Sequence, residues 1–420
     1  MKILYVSQYF SPEMGAPAAR AAELSRHWVE DGHEVTVLTG FPNHPTGVVP
    51  LEYRSKLRHL VMCEKVDGVR VVRSWLFPFP NRKPYERILN YSSFCFSAAS
   101  TGLFISRPDA VIATSPQLLV GLSGWWLARY KGVRFIFEVR DLWPESLVAV
   151  GLGNENSLLH RSLGKLAGFL YRRSDHVVVV SPAFEEHLVH YWRVPQAKIS
   201  VIENGVETEL FSPGDGNELK RELGAEGKFV VCYAGTIGMA HSLETVVEAA
   251  SQLEKSAPHI VFLLVGEGAD KERIITMARS RALTNLRFVD QQPHEKVPAY
   301  IAASDVALVP LRKSALFKTV IPTKMLESMS CARPVILGVD GQARKILEEA
   351  QAGIFVEPED AMALANTVCA LAASPELCRR FGRNGRRYIV ERFSRQRTAK
   401  AYLSLLENVP NRQWQLAAQA

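Results

Sequence analysis

The stretch Phe229–Glu244, FVVCYAGTIGMAHSLE, is an apolar run of strand length, closed by Gly235 and Gly238 and followed by a helix start. A short uninterrupted apolar run ended by turn residues predicts a strand buried on both faces of a parallel sheet. IVFLLVG, LRFVD, DVALVP and PVILGV repeat the pattern downstream with helical segments between them. Upstream, KILYVS (Lys2–Ser7), EVTVLT, DAVIAT, RFIFEV and HVVVVS form an earlier series of the same kind. VMCEKV and VRVVRS flank Asp67-Gly68, a two-residue hairpin signal. Two βαβ series predict the α/β class: two Rossmann-like, doubly wound parallel-sheet domains facing across a cleft. The expected division is 1–203, then 204–392, then a C-terminal helix in 393–420 that crosses back to the first domain. The turn-rich segment Val201–Gly216 is the connection.

Bulk properties agree with two domains. The chain has 420 residues, 47% apolar and 22% charged, an ordinary globular composition too long for one core. Its six cysteines are scattered without CxxC or zinc-ligand spacing, which fits reduced thiols of a cytoplasmic protein better than a disulfide framework. MKILYVSQYF reads as a strand and not as a signal peptide, and no run reaches the ~18 apolar residues of a membrane span. The net charge of +7 is concentrated: Arg54–Arg107 holds ten basic residues against three acids. That window implies a positive surface with an acidic partner. Trp75–Ser106 mixes aromatics with Arg82, Lys83 and Arg87, which suits either an anionic bilayer or a core helix with a solvated basic end. No recognition motif accompanies these charges, so nucleic acid is excluded as partner.

Ligands of such sheets bind beyond the carboxyl ends of the strands, so the loops there carry the chemistry. SQYFSPEMGAPAAR, after the first strand, lacks GxGxxG, and no acid follows the second strand, which disfavours a dinucleotide oxidoreductase. Gly15 and Ala16 form either a plain loop-to-helix turn or a place where a ligand nears the backbone. Gly235 and Gly238 open onto a helix near Ser242 whose amides could cradle a diphosphate; Gly266 and Gly268 of VGEGAD suggest close packing or close approach. In IPTKMLESMSCARPVI (Ile321–Ile336), Pro322 suits the first turn and Thr323 the cap. Lys324 then occupies a first turn, where a cation is disfavoured unless an anion neutralises it, and Glu327 shares its face. The plain alternative is a surface Lys–Glu pair of ~0.3 kcal/mol. EVRDLWPES (Glu138–Ser146) gathers Glu138, Arg140, Asp141 and Glu145 around Trp143-Pro144, a set suited to holding a sugar.

Together these pieces resemble the retaining glycosyltransferases of family 4, which have the GT-B fold. The resemblance covers nearly the whole chain: the loop with Gly15, DGHEVTVLT, EVRDLWPE, VIENGV, YAGTIG, VGEG and PTKMLESMSCARPV, in order and at spacing. DLWPE and PTK-x-x-E look most like bacterial enzymes of surface-polysaccharide synthesis, with the L-fucosamine transferases of O-antigen synthesis as the nearest subgroup. The resemblance implies a nucleotide-sugar donor, usually a UDP-sugar, bound mainly by the second domain. Glu327 matches the second glutamate of the family's pair, which holds the ribose. Gly235 to Gly238 match the diphosphate turn, Gly15 with Ala16 the loop facing the donor phosphates, and Asp141 the aspartate after the family's histidine.

Three positions depart from the family. Thr319 stands where the first glutamate belongs, Thr236 and His241 where an arginine and a lysine hold the diphosphate, and Arg140 where the histidine belongs. Lys324 is the expected compensation, with Lys318 and Arg312 as further candidates, because the leaving diphosphate needs positive charge. The expected donor-binding set is therefore Gly15, Ala16, Gly235, Thr236, Gly238, His241, Gly266, Glu267, Lys318, Pro322, Thr323 and Glu327. The expected catalytic set is Lys324, Asp141, Arg140 and Glu145. No metal and no cofactor is expected, the nucleotide-sugar being a substrate. The acceptor implied is a saccharide linked to undecaprenyl diphosphate, met by a cytoplasmic enzyme peripheral on the inner face of the plasma membrane. Two other classes fit the same residues: a UDP-sugar 2-epimerase on this fold, and a nucleotide-sugar-binding protein without catalysis.

Overall fold

Both apolar series form parallel sheets in the computed structural model, which describes residues 1–44, 46–79, 84–149, 154 and 156–410. The first sheet contains β1 (Lys2–Val6), β2 (Glu34–Gly40), β3 (Val61–Val66), β4 (Val69–Ser74), β5 (Ala110–Thr114), β6 (Arg134–Val139), β7 (His176–Val179) and β8 (Ile199–Val201). Its order is β3-β4-β2-β1-β5-β6-β7-β8, doubly wound about β1. Every pair is parallel except β3 with β4. Asp67 and Gly68 turn that hairpin with φ of 48° and 82°, as a two-residue loop between twisted strands requires.

The second sheet contains β9 (Phe229–Ala234), β10 (Ile260–Val265), β11 (Leu286–Val289), β12 (Val306–Pro310), β13 (Val335–Gly338) and β14 (Gly353–Phe355). Its order is β11-β10-β9-β12-β13-β14, all parallel. In each sheet the strand order reverses beside the first strand, so β1 and β9 carry their following loops to the ligand-binding edge of their own sheet.

The chain divides into two compact units, Met1–Glu203 with Gln396–Ala420, and Asn204–Arg395. The second thus extends three residues beyond the expected 392. The helix Arg395–Asn408 packs in the first unit: Trp28, fully buried, donates its indole N–H to Ala399 O at 3.1 Å and meets the Tyr402 ring edge-on at 5.3 Å. In the second unit, Val206 and Ser394 form a parallel bridge that ties its two ends together.

Candidate functional site

In the second unit, the loop after β9 is built against the loop after β10. Gly235 N donates to Val265 O at 2.9 Å, and Ile237 N to Glu267 O at 2.8 Å. A Cβ at Gly266, whose φ is +149°, would stand 1.9 Å from Gly235 O, so only glycine permits this approach. Gly266 therefore shapes the turn. The Glu267 carboxylate turns to Lys271, whose ammonium also meets Asp290 at 2.6 Å. The helix after the turn begins at Glu244, two residues later than expected, behind a short 3₁₀ turn at Met239–His241.

Lys324 comes into this turn from the helix Thr323–Ser330. Pro322 occupies the cap position and Thr323 is the first helical residue, so the expected threonine cap is not formed. The Lys324 ammonium donates to Tyr233 Oη at 2.7 Å, lies 4.2 Å from the Tyr233 ring centroid, and would be 3.1 Å from a Cβ at Gly235. Tyr233 in turn donates to Thr236 O at 2.5 Å. Lys324 thus presses on the first glycine of the turn. Burial pushes its pKa down to about 7, with Glu327, three residues on, opposing the shift. The half-buried Glu327 shares the helix face, so a charge of each sign flanks the turn.

The neighbouring cations are already paired. Lys318 bridges Asp340 at 2.9 Å, and Arg312 bridges Glu244 at 2.9 Å while donating to Met239 O. Lys324 alone among the three has no carboxylate within ion-pair distance, among the described residues. His241 packs edge-on to Tyr233 at 5.8 Å. Burial, aided by Lys324, drives its pKa well below the ordinary histidine value, so the ring is neutral, and its buried Nδ1 has no partner. A cationic lysine, a neutral imidazole and a glycine turn at a strand's carboxyl end are a chemically coherent anion site.

In the first unit, Gly15 leads into the helix Ala16–Glu30, and Arg140 reaches it, donating from Nη2 to Ala16 O at 3.2 Å. Ser115, after β5, accepts from the backbone N–H groups of Arg140 (2.7 Å) and Asp141 (3.3 Å) and sets the loop after β6. Arg140 Nε and Nη1 are buried without a partner. Burial raises Asp141 to about 6 against the opposing charge of Arg140. Glu145 Oε1 lies 3.1 Å from His187 Nε2. Glu138 turns inward instead: Arg20 donates to it at 2.7 Å and Tyr5 at 2.9 Å, all fully buried. A buried amide chain runs nearby, from Gln117 to Gln8 (2.8 Å), Gln8 to Asn90 (2.6 Å) and Asn90 to Asn43 (3.3 Å).

The structure therefore gathers Gly235, Thr236, Gly238, His241 and Lys324 around one turn and gathers Gly15, Ala16, Arg140 and Asp141 around another. It commits Glu267 and Lys318 to ion pairs. Tyr233, Ser115 and His187 were not found by sequence reasoning. Tyr233 reads as core in an apolar strand, Ser115 as one loop serine among many, and His187 as a helix-end histidine. Among the described residues, no three His, Cys, Asp or Glu side chains gather as metal ligands.

Two family profiles together match most of the chain. Residues 15–205 match the glycosyl transferase 4-like domain and residues 215–388 match the glycosyl transferases group 1. The chain is a glycosyltransferase with a 4-like domain followed by a group 1 domain. Among curated relatives, the putative colanic acid biosynthesis glycosyl transferase WcaI of Escherichia coli K12 is 26% identical over 388 residues, covering 87% of this chain and 90% of its own. The probable glycosyltransferase WbjE of Pseudomonas aeruginosa is 28% identical over 305 residues, covering 70% and 74%. Among solved structures, sucrose-phosphate synthase of Thermosynechococcus elongatus superposes with a TM-score of 0.76 at 22% identity over 100% of both chains. Anabaena HepE in complex with UDP-glucose gives 0.72 at 17% identity, covering 97% and 99%. These likenesses establish the GT-B class of two parallel-sheet α/β domains.

Proposed function

We propose that this glycosyltransferase moves a sugar from a UDP-sugar to a saccharide acceptor, with retention at the anomeric carbon and without a metal. The observation that carries the donor side is Lys324: a half-buried lysine at a helix start, in no ion pair with a carboxylate among the described residues, pressed against a glycine turn. Such a group is electrostatically disfavoured until an anion arrives. The diphosphate supplies that anion, with Thr236, Gly238 and His241 around it and Glu327 on the ribose. As the anomeric C–O bond breaks, the electron pair stays on the departing phosphate oxygen, where Lys324 stabilises it. The acceptor hydroxyl attacks on the same face and its proton passes to that phosphate oxygen, leaving UDP. Arg140, Asp141 and Glu145 orient sugar or acceptor. The relative named for colanic acid biosynthesis supports a role in polysaccharide synthesis, with L-fucosamine among the donor sugars to be tried. Release of UDP from a panel of UDP-sugars, with acceptor present, tests the proposal. A 2-epimerase keeps its nucleotide on the product, so sugar inversion without free UDP would replace transfer by epimerisation.

The acceptor is proposed to be linked to undecaprenyl diphosphate, with the enzyme on the inner membrane face. No single helix among the described residues is long and apolar enough to cross a bilayer. The support is a surface: the helices Pro84–Gly102 and Leu119–Lys131 pack together through Ser123 and Cys95 and expose Phe96 (75%), Trp126 and Tyr130, with Phe104 (90%) exposed in the turn after the first of them. Arg107, Arg129 and Lys131 flank these rings, the composition of an interfacial surface on anionic lipid. Arg82 and Lys83 lie outside the described residues. The protein is expected to float with vesicles containing ~30% anionic lipid and to lose most of that binding in the Phe96→Asp, Phe104→Asp variant. Sedimentation of the wild type away from such vesicles would remove the membrane proposal.

A further inference from the structure

Tyr233, the last residue but one of β9, is fully buried in one apolar cluster with Ile237, Leu243 and Leu264. Phenylalanine would fill that place equally well, so the hydroxyl needs a reason of its own. A phenol has one hydrogen to give, and Tyr233 gives it to Thr236 O at 2.5 Å. That bond alone satisfies a buried hydroxyl. The oxygen nevertheless accepts a second one, from the Lys324 ammonium at 2.7 Å, and the ring lies against the same ammonium, 4.2 Å from centroid to Nζ. Because the hydroxyl hydrogen is committed to Thr236, only lone pairs face Lys324. A Cβ at Gly235 would stand 3.1 Å from Lys324 Nζ and 3.8 Å from Tyr233 Oη, so both atoms meet over the first glycine of the turn.

A lysine charge sits at the end of a flexible stem and serves a diphosphate only where it is held in place. The titratable groups around Lys324 are Glu327 on its own helix, Tyr233 on β9 and the neutral His241 of the 3₁₀ turn, among the described residues. A carboxylate in the place of Tyr233 would cancel the charge that the diphosphate needs. A phenol oxygen and a ring face hold the ammonium without cancelling it. One of the ammonium's three hydrogens goes to Tyr233, which leaves two for phosphate oxygens. We propose that Tyr233 is a positioning residue acting through Lys324: its hydroxyl, fixed by Thr236 O, and its ring seat the ammonium over Gly235 with two donors left for the diphosphate. The inference rests on the proposal above that Lys324 meets the donor diphosphate.

The test is a pH titration of the Lys324 Cε resonance in the ligand-free full chain, assigned by its disappearance in Lys324→Met, beside UDP affinities measured by calorimetry. Tyr233→Phe keeps the ring and removes only the oxygen. It is expected to lower the Lys324 midpoint by about one pH unit, since the ammonium loses an acceptor. It is also expected to weaken UDP about tenfold at neutral pH. In the Lys324→Met background the same substitution is expected to change UDP affinity by less than about twofold. A tyrosine that merely shaped the turn through Thr236 would weaken UDP in both backgrounds. Thermal melts show whether each variant is folded, and the wild type gives a reading of its own: the Overhauser contact between the Lys324 ε-protons and the Tyr233 ring is expected to persist when UDP is added. An unchanged midpoint in Tyr233→Phe, an equal loss of UDP affinity in both backgrounds, or loss of that contact on adding UDP would overturn the role of Tyr233. A lowered midpoint in Tyr233→Phe, with UDP failing to bind even the wild type, would uphold the seating of Lys324 by Tyr233 and count against the donor proposal alone.

Discussion

Lys324→Ala is expected to lower turnover about 10²–10³-fold at saturating donor, the usual consequence of removing one group that stabilises developing charge. The same lysine should be a burden to the empty protein. Burial holds its pKa near 7 in the folded chain against 10.5 for an ordinary lysine. The unfolded chain therefore binds more protons between those values, so stability rises with pH from 7 to 10.5, and below 7 the penalty is present in full. Lys324→Met, similar in length and uncharged, is expected to stabilise the ligand-free protein on the order of 2–4 kcal/mol at pH 6. Turnover assays and denaturant melts of these two variants check both halves. A lysine kept only for packing would show neither the loss of rate nor the gain in stability.

The second large effect lies in the interior of the first unit. Arg20 and Glu138 are fully buried, 2.7 Å apart, with Tyr5 donating to the same carboxylate at 2.9 Å. The pair holds Glu138 below the ordinary carboxylate range against the burial that would raise it. Glu138→Ala leaves the guanidinium uncompensated beside Arg140, whose charge already opposes it. Breaking a buried pair in this way costs about 3–5 kcal/mol. The unfolding midpoint should fall accordingly, whereas the double replacement Arg20→Met, Glu138→Leu should recover much of the loss. A Glu138→Ala variant within 1 kcal/mol of wild type, measured by calorimetry as ~1 kcal/mol or less, would show that the pair is not a structural bond of this unit.

Much of the architecture was legible because parallel strands buried on both faces leave continuous apolar runs, as at Phe229–Ala234 and Ile260–Val265. Strands β8 and β14 were not anticipated. Each has three residues at a sheet edge, too few to register against the turn formers around Ile199–Val201 and Gly353–Phe355. In the candidate site, Lys324 could be singled out because its place in a helix's first turn conflicts with the helix dipole. Its partner Tyr233 could not, since a tyrosine in FVVCYA is indistinguishable from core. Glu138 shows the converse. It stands at the end of strand β6 beside a charged loop sequence and belongs to the core, because Arg20, 118 positions away, comes to meet it. Pairings over such separations leave no local trace.

Donor binding turns most directly on the charge that Lys324 presents to the diphosphate. Calorimetric titration of UDP at pH 8, in two buffers of different ionisation enthalpy, measures it. UDP is fully ionised there, its last phosphate proton having left near pH 6, and Lys324, near 7 when free, is largely neutral. Binding is predicted to take up about one proton per UDP, and Lys324→Met to abolish that uptake and weaken UDP at least tenfold. UDP binding equally tightly to both proteins with no proton uptake would contradict the assignment of the donor site to the Lys324 turn.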